Sequence, residues 1–204
     1  MFFLDNFNAE PPKHLSTFVD FIKEYISFAS NRSSGAVGLP NLIPYMYYFW
    51  KKDCQEGFAT KSPDYYARQQ IQRFIYAVNQ PYVRDGIQSD FTNVSIFDGP
   101  YLESLFGGAE FPDGTFMVDY LDEIKEFQKT FMVTEAEIRN KNMFTYPVYS
   151  ASLLRVNGKF EDEEFAKWAV KQICIVNKIN DENQISGWYD SNFSNKPNCD
   201  MMQN

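Results

Sequence analysis

The chain has 204 residues, 44% of them apolar and 18% aromatic, with a formal net charge of -8 and a pI near 4.7. That length suits one large domain or two small ones with a sizeable core, and the aromatic content excludes a disordered chain. The acidic balance argues against bulk nucleic-acid binding. No apolar run reaches the roughly 18 residues of a membrane-spanning helix, so no membrane partner is expected. Met1-Phe2-Phe3-Leu4-Asp5 lacks the features of a secretory leader. Cys54, Cys174 and Cys199 lie far apart and form no CxxC pair. Neither a disulfide framework nor a zinc knuckle is signalled, and a reducing cytoplasm is the expected location. His14 is the one histidine, which leaves no two-histidine metal site.

Pro11-Pro12 closes an irregular leader. Leu15, Phe18, Val19, Ile22, Tyr25, Ile26 and Ala29 then recur at helical spacing, which predicts a helix over about 13–29. Asn31 to Gly38 is small and polar and reads as a loop or a strained helix start. A second helix is expected over about 42–56, with Pro44 in its first turn and the aromatic run Tyr45 to Trp50 along it. Ser62-Pro63-Asp64 marks the start of a third helix, running to about Asn79. Phe91 to Phe97 is β-branched and aromatic and reads as a strand. A short helix over about 101–106 ends at Gly107-Gly108, and a long one follows over about 117–140, with Val118, Leu121, Ile124, Phe131 and Ile138 facing inward. Phe144 to Leu154 is a second strand, Asn157-Gly158 a turn, Glu161 to Val176 a helix, and Trp188 to Phe193 a third strand. Strand–helix–strand spacing of this length joins parallel strands, so the class is α/β with a helical N-terminal part.

Most chemistry-bearing groups have an ordinary reading. His14 is expected to be exposed at the start of the first helix, and Cys54 and Cys174 to be inert core thiols. The acidic stripe Asp119, Asp122, Glu123 and Glu126 fits a solvated helix face, and the Tyr45–Trp50 run fits packing. Two segments stand apart. Gln88 to Asp98 puts amides and hydroxyls on a buried strand, where they must bond either to the fold or to a ligand. Asn198-Cys199-Asp200 puts a thiol just after the third strand.

Ser30-Asn31-Arg32-Ser33-Ser34-Gly35-Ala36-Val37-Gly38-Leu39-Pro40 and Tyr47-Tyr48-Phe49-Trp50-Lys51-Lys52-Asp53 are distinctive runs. Phe74 to Tyr82, Phe91-Thr92-Asn93-Val94-Ser95-Ile96-Phe97-Asp98, Leu105 to Gly108 and Phe111 to Thr115 accompany them. So do Asn157 to Ala166 and Asp190-Ser191-Asn192-Phe193. Together these motifs resemble the catalytic subunit of anaerobic (class III) ribonucleoside-triphosphate reductases, which are glycyl radical enzymes.

The resemblance implies part of a ten-stranded α/β barrel: helices over 1–80 of a dimer-interface kind, parallel βα units over 81–193, and a divergent tail over 194–204. It implies radical reduction of ribonucleoside triphosphates, with ribonucleoside triphosphates and dNTP or ATP effectors as ligands. A homo-oligomer or complementing reductase chains are the implied protein partners. Gln88, Ser89, Thr92 and Asn93 would lie near substrate, Lys23 and Arg32 near effector phosphates, and Cys199 at the thiyl position. The family's glycyl radical, made by a radical-SAM activase, and its structural zinc belong to segments not recognised in this chain. An isolated chain without turnover is therefore expected. A non-catalytic remnant that binds nucleotide or serves oligomerisation is the alternative. Position 90 is Asp where the resemblance implies a small apolar residue.

Overall fold

The computed structural model describes residues 10–33, 35–81, 86, 88–142, 144–179 and 188–190, with 173–179 and 188–190 as backbone alone. Helix α1 (Leu15–Ser30) buries Leu15, Phe18, Val19 and Ile26, the stripe that its spacing predicts. Tyr25, expected on that face, is 37% exposed. The start of α1 corrects the reading of His14. That residue is half-buried and its Nδ1 lies 2.7 Å from Asp53 Oδ1. The first amide of the helix, Leu15 N–H, donates to Asp53 Oδ2 at 2.8 Å. Tyr66 Oη donates to the same oxygen at 2.7 Å. An aspartate far along the chain thus does what an N-cap side chain usually does locally. No local pattern could reveal it.

The segment read as a loop contains a short strand, β1 (Val37–Leu39). Helix α2 (Leu42–Gln55) buries Leu42, Ile43, Met46, Tyr47 and Phe49, and seats Pro44 in its first turn, where a missing N–H costs nothing. Helix α3 (Pro63–Val78) begins as its Ser-Pro-Asp start predicts, with Tyr65 N–H donating to Ser62 Oγ at 3.2 Å. Strand β2 (Thr92–Phe97) feeds helix α4 (Gly99–Phe106), capped by Asp98 Oδ1, which accepts from Tyr101 N–H at 3.0 Å. A 3₁₀ turn, Met117–Tyr120, then leads into α5 (Leu121–Arg139). Val118 sits on that turn and is 43% exposed, not inward, because three residues per turn rotates it off the α-helical stripe.

Strand β3 (Val148–Ser152) starts later than predicted, after Pro147, which has no N–H for a ladder. The hairpin β4 (Arg155–Val156) and β5 (Lys159–Phe160) closes around Asn157 and Gly158, at φ 50° and 81°. Asn-Gly is the pair that tolerates positive φ at both turn positions. Helix α6 (Glu163–Ile179) and strand β6 (Trp188–Asp190) follow. The predicted continuation of that strand through Phe193 lies outside the described residues, as do the tail over 194–204 and the Cys174 side chain.

The four-stranded sheet runs β1-β2-β3-β6, with every described pairing parallel. Thr92, Val94 and Ile96 of β2 and Tyr149 and Ala151 of β3 share the apolar face. Helix α5 packs there, with Phe131 edge-on to Tyr149 at 6.1 Å and tilted against Phe74 of α3 at 6.3 Å. β1 pairs with β2 only from Thr92 to Val94, so Phe97 at the far end of β2 has no strand on that side. The amide of Gln128 on α5 takes that place. Phe97 N–H donates to Gln128 Oε1 at 3.0 Å, and Gln128 Nε2 donates to Phe97 O at 2.9 Å. Asn79 does the same where the chain approaches β3. Its Nδ2 donates to Tyr146 O at 2.5 Å and its Oδ1 accepts from Tyr146 N–H at 3.1 Å. Arg139, buried and ion-paired with Glu135, donates to Pro147 O at 2.5 Å.

Gln128→Leu would leave a buried amide and a buried carbonyl of Phe97 unpaired. The expected loss is about 2–6 kcal/mol, from about 1–3 kcal/mol for each of the two unsatisfied buried groups, read as a lower urea midpoint with an unchanged slope.

Candidate functional site

The parallel register puts Gly38 beside Asn93, and Ser95 beside Ser150. Asn93, Ser95, Ser150 and Ser152 therefore lie on one face of the sheet, opposite the helix-covered face. Asn93 Nδ2 donates to Ser150 Oγ at 2.9 Å, which ties β2 to β3 across that face. Asn93, Ser95 and Ser152 are half-buried and Gly38 is exposed. The side chains are small, neutral and rich in hydrogen-bonding groups. Such a surface leaves room for a ligand and can bond hydroxyls without imposing charge.

The sequence-predicted substrate residues do not all converge here. Asn93 lies on this face. Thr92 points to the other one and is fully buried on the helix side. Neighbours on a strand face opposite ways, so Thr92 and Asn93, both expected near substrate, lie on different faces of the sheet. Ser89 Oγ donates to Asn79 O at 2.9 Å, bracing the approach to β2, and Gln88 is half-buried before the strand. Lys23 is on α1. Arg32 follows α1, exposed, with its guanidinium 3.6 Å above the Phe28 ring and bonded to Phe28 O. Cys199 lies outside the described residues. Cys54 is half-buried and burial pushes its thiol pKa up, which disfavours the reactive thiolate.

Ser95, Ser150 and Ser152 were missed as site residues. The signal was present: small polar residues recur at every second position of β3, between Tyr149, Ala151 and Leu153. At the carboxyl ends of the strands, Asp98 Oδ2 accepts from Leu154 N–H at 2.6 Å and so locks the end of β2 to the end of β3. Asp162 accepts from Phe165 N–H at 3.0 Å and from Lys125 at 3.2 Å. Those bonds hold its carboxyl below the usual range against the opposing effect of burial.

The family model for anaerobic ribonucleoside-triphosphate reductase matches residues 2–199. The anaerobic ribonucleotide reductase from Thermotoga maritima in complex with dATP and CTP is 39% identical, with a TM-score of 0.76 over 94% of this chain and 31% of that one. The structure of that organism's enzyme with dATP bound in the specificity site is 40% identical, with a TM-score of 0.76 over 91% of this chain and 30% of that one. The form with citrate in the active site gives 40% identity and a TM-score of 0.76, over 91% of this chain and 32% of that one. A search among curated proteins gives no match. The chain belongs to the anaerobic ribonucleoside-triphosphate reductase family, and it spans under a third of the length of these solved reductases. Among the described residues no helix is long and apolar enough to cross a membrane.

Next to the site, Asp90 is 1% exposed and its Oδ1 has no hydrogen-bond partner among the described residues. Burial raises its pKa above the ordinary carboxylate value, and the neighbouring Ser30 hydroxyl offsets only part of that. A raised folded-state pKa means the fold favours the protonated acid. Stability is fully present below the unfolded pKa and is lost as pH rises through the folded one. Asp90→Asn is therefore expected to stabilise the chain by about 1–2 kcal/mol at neutral pH and to change little near pH 3. Thermal unfolding of both forms across that range checks it.

Proposed function

We propose that this chain forms part of the wall of a radical reductase's catalytic barrel, of the ten-stranded kind. Its small-polar sheet face turns toward the ribose of a ribonucleoside triphosphate. The observation that carries the reading is the unlikeness of the two faces of one parallel sheet. Such sheets are normally buried on both sides by apolar residues. Here one face is apolar under α5, while the other presents Gly38, Asn93, Ser95, Ser150 and Ser152 between the apolar Val148 at one end and Phe97 at the other. The CTP and dATP bound by the Thermotoga maritima enzyme support a nucleotide ligand.

In this reading the ribose 2′-hydroxyl leaves as water and hydrogen takes its place. Formate together with a proton, or the two thiols of a small protein, supplies the two electrons and two hydrogens, and ends as carbon dioxide or as a disulfide. Asn93 and Ser150, already bonded to each other, orient sugar hydroxyls. Cys199, the last residue that the family model matches, is the proposed thiyl position. The glycyl radical and the structural zinc sit on other parts of the enzyme, in this chain's longer form or in complementing chains. Helices α1 and α2 form the proposed interface between chains, where Lys23 and the Phe28-stacked Arg32 meet effector phosphates.

Reconstitution tests this. The chain, combined anaerobically with activated reductase pieces carrying the radical loop, is expected to form dCTP from CTP. Ser150→Leu, which fills the open face, should cut that turnover about 100-fold, the scale of a misplaced substrate, while leaving circular dichroism and dATP binding unchanged. Undiminished turnover in that variant would place the substrate elsewhere.

A further inference from the structure

Two stretches with ordinary readings in the sequence, the aromatic run of α2 and the acidic stripe of α5, meet in one cavity. It measures about 540 Å³, within the roughly 300–1,000 Å³ of small-ligand sites. Its floor is three rings in mutual contact. Trp50 and Phe127 have centroids 5.3 Å apart, and Tyr47 lies 6.0 Å from Phe127 and 6.1 Å from Trp50. Trp50 is held in place by its Nε1–H, which donates to Pro63 O at 2.9 Å. Asp64, Asp122, Glu123 and Glu126 line the walls, and no basic side chain does so among the described residues. Three of these acids have basic partners outside the cavity: Arg68 at 2.9 Å, Lys51 at 2.8 Å and Lys129 at 2.7 Å. Asp122 has no ion-pair partner among the described residues.

The chain itself shows what such groups hold. Lys51 Nζ donates to Glu123 Oε2 at 2.8 Å and to Tyr47 Oη at 3.0 Å, and it sits 4.1 Å above the Tyr120 ring. An ammonium is thus already seated against the phenol and carboxylate that form one wall. Tyr47 Oη also donates to Glu123, and burial together with that bond raises the phenol pKa, so it stays a neutral donor. The cavity repeats this chemistry with a broader aromatic floor and room for a whole ligand.

We propose that this cavity binds an organic cation, an ammonium or guanidinium carried on an aliphatic body. The charged end meets Asp122 and Glu126, and the body lies on Trp50 and Phe127. Charge and ring quadrupole then act together. With Asp122 unpaired and no basic side chain lining the cavity among the described residues, an anion such as a nucleotide finds no partner there. The site is built by α2, α3 and α5, on the helix side of the sheet, and it does not depend on the reductase reading.

Agmatine and spermidine titrated into the full chain at low salt test this, followed by tryptophan fluorescence and by calorimetry. Saturable binding is expected, weakening as salt is raised. The Asp122→Asn/Glu126→Gln double variant, with both changes at exposed positions, should bind about tenfold more weakly, equivalent to about 1.4 kcal/mol. Trp50→Phe should lose the fluorescence response while calorimetry still reports binding. A short arginine-containing peptide is the third probe. Tighter binding than agmatine assigns the cation to a partner's side chain, and weaker binding assigns it to a free amine. Absence of saturable binding by all three probes overturns the proposal. Binding that the double variant leaves unchanged does so too.

Discussion

A parallel sheet cannot close on itself with hairpins, and each of its faces must be covered or used. That constraint organises the whole chain. Every step from one strand of the four-stranded sheet to the next includes a helix, and α5 covers the face of Val94, Ile96, Tyr149 and Ala151. Where strands run out, side chains stand in for them. Gln128 pairs with Phe97, Asn79 with Tyr146, and Asp98 with Leu154. These are buried or half-buried polar groups with two-point or charged bonds, so they fix the sheet's ends without adding strands. The other face keeps the small neutral groups of Asn93, Ser95, Ser150 and Ser152.

The elements governed by local chemistry were legible. Ser62-Pro63-Asp64 announced α3, the Asn157-Gly158 turn closed the β4–β5 hairpin, and the β-branched run gave β2. The elements governed by distant partners were not. β1 is three residues in a glycine-bearing, polar stretch, and it is a strand only because β2 offers Thr92 to Val94 as a ladder. Val118 followed the α-helical stripe in sequence but sits on a 3₁₀ turn. His14 looked like a free surface residue, because its aspartate lies on a different helix.

The site was half legible for the same reason. The motif over Phe91 to Asp98 pointed to β2, and Asn93 lies on the face of that strand away from the helices. Period-2 geometry then separates Asn93 from Thr92 and adds Ser95. Ser150 and Ser152 needed the register as well, since only pairing with β2 shows which face of β3 they join. The cation cavity needed three helices at once. Trp50, Asp64 and Asp122 come from separate elements, and each has an ordinary reading on its own helix.

Asp53 carries one more consequence, for the order in which the chain folds. Its carboxylate supplies the missing partner for the first amide of α1 across a separation of 38 residues, and it is also the acceptor for Tyr66 on α3. A short isolated helix is marginal in water, and an unsatisfied first turn weakens it further. α1 therefore gains its start only when α2 has docked. Closing that loop costs entropy before the contact returns any stability. The N-terminal helix is in this sense a late joiner, recruited by helices that follow it in the sequence. A nascent chain would hold it as unsettled structure until residue 53 and then residue 66 had arrived to finish it.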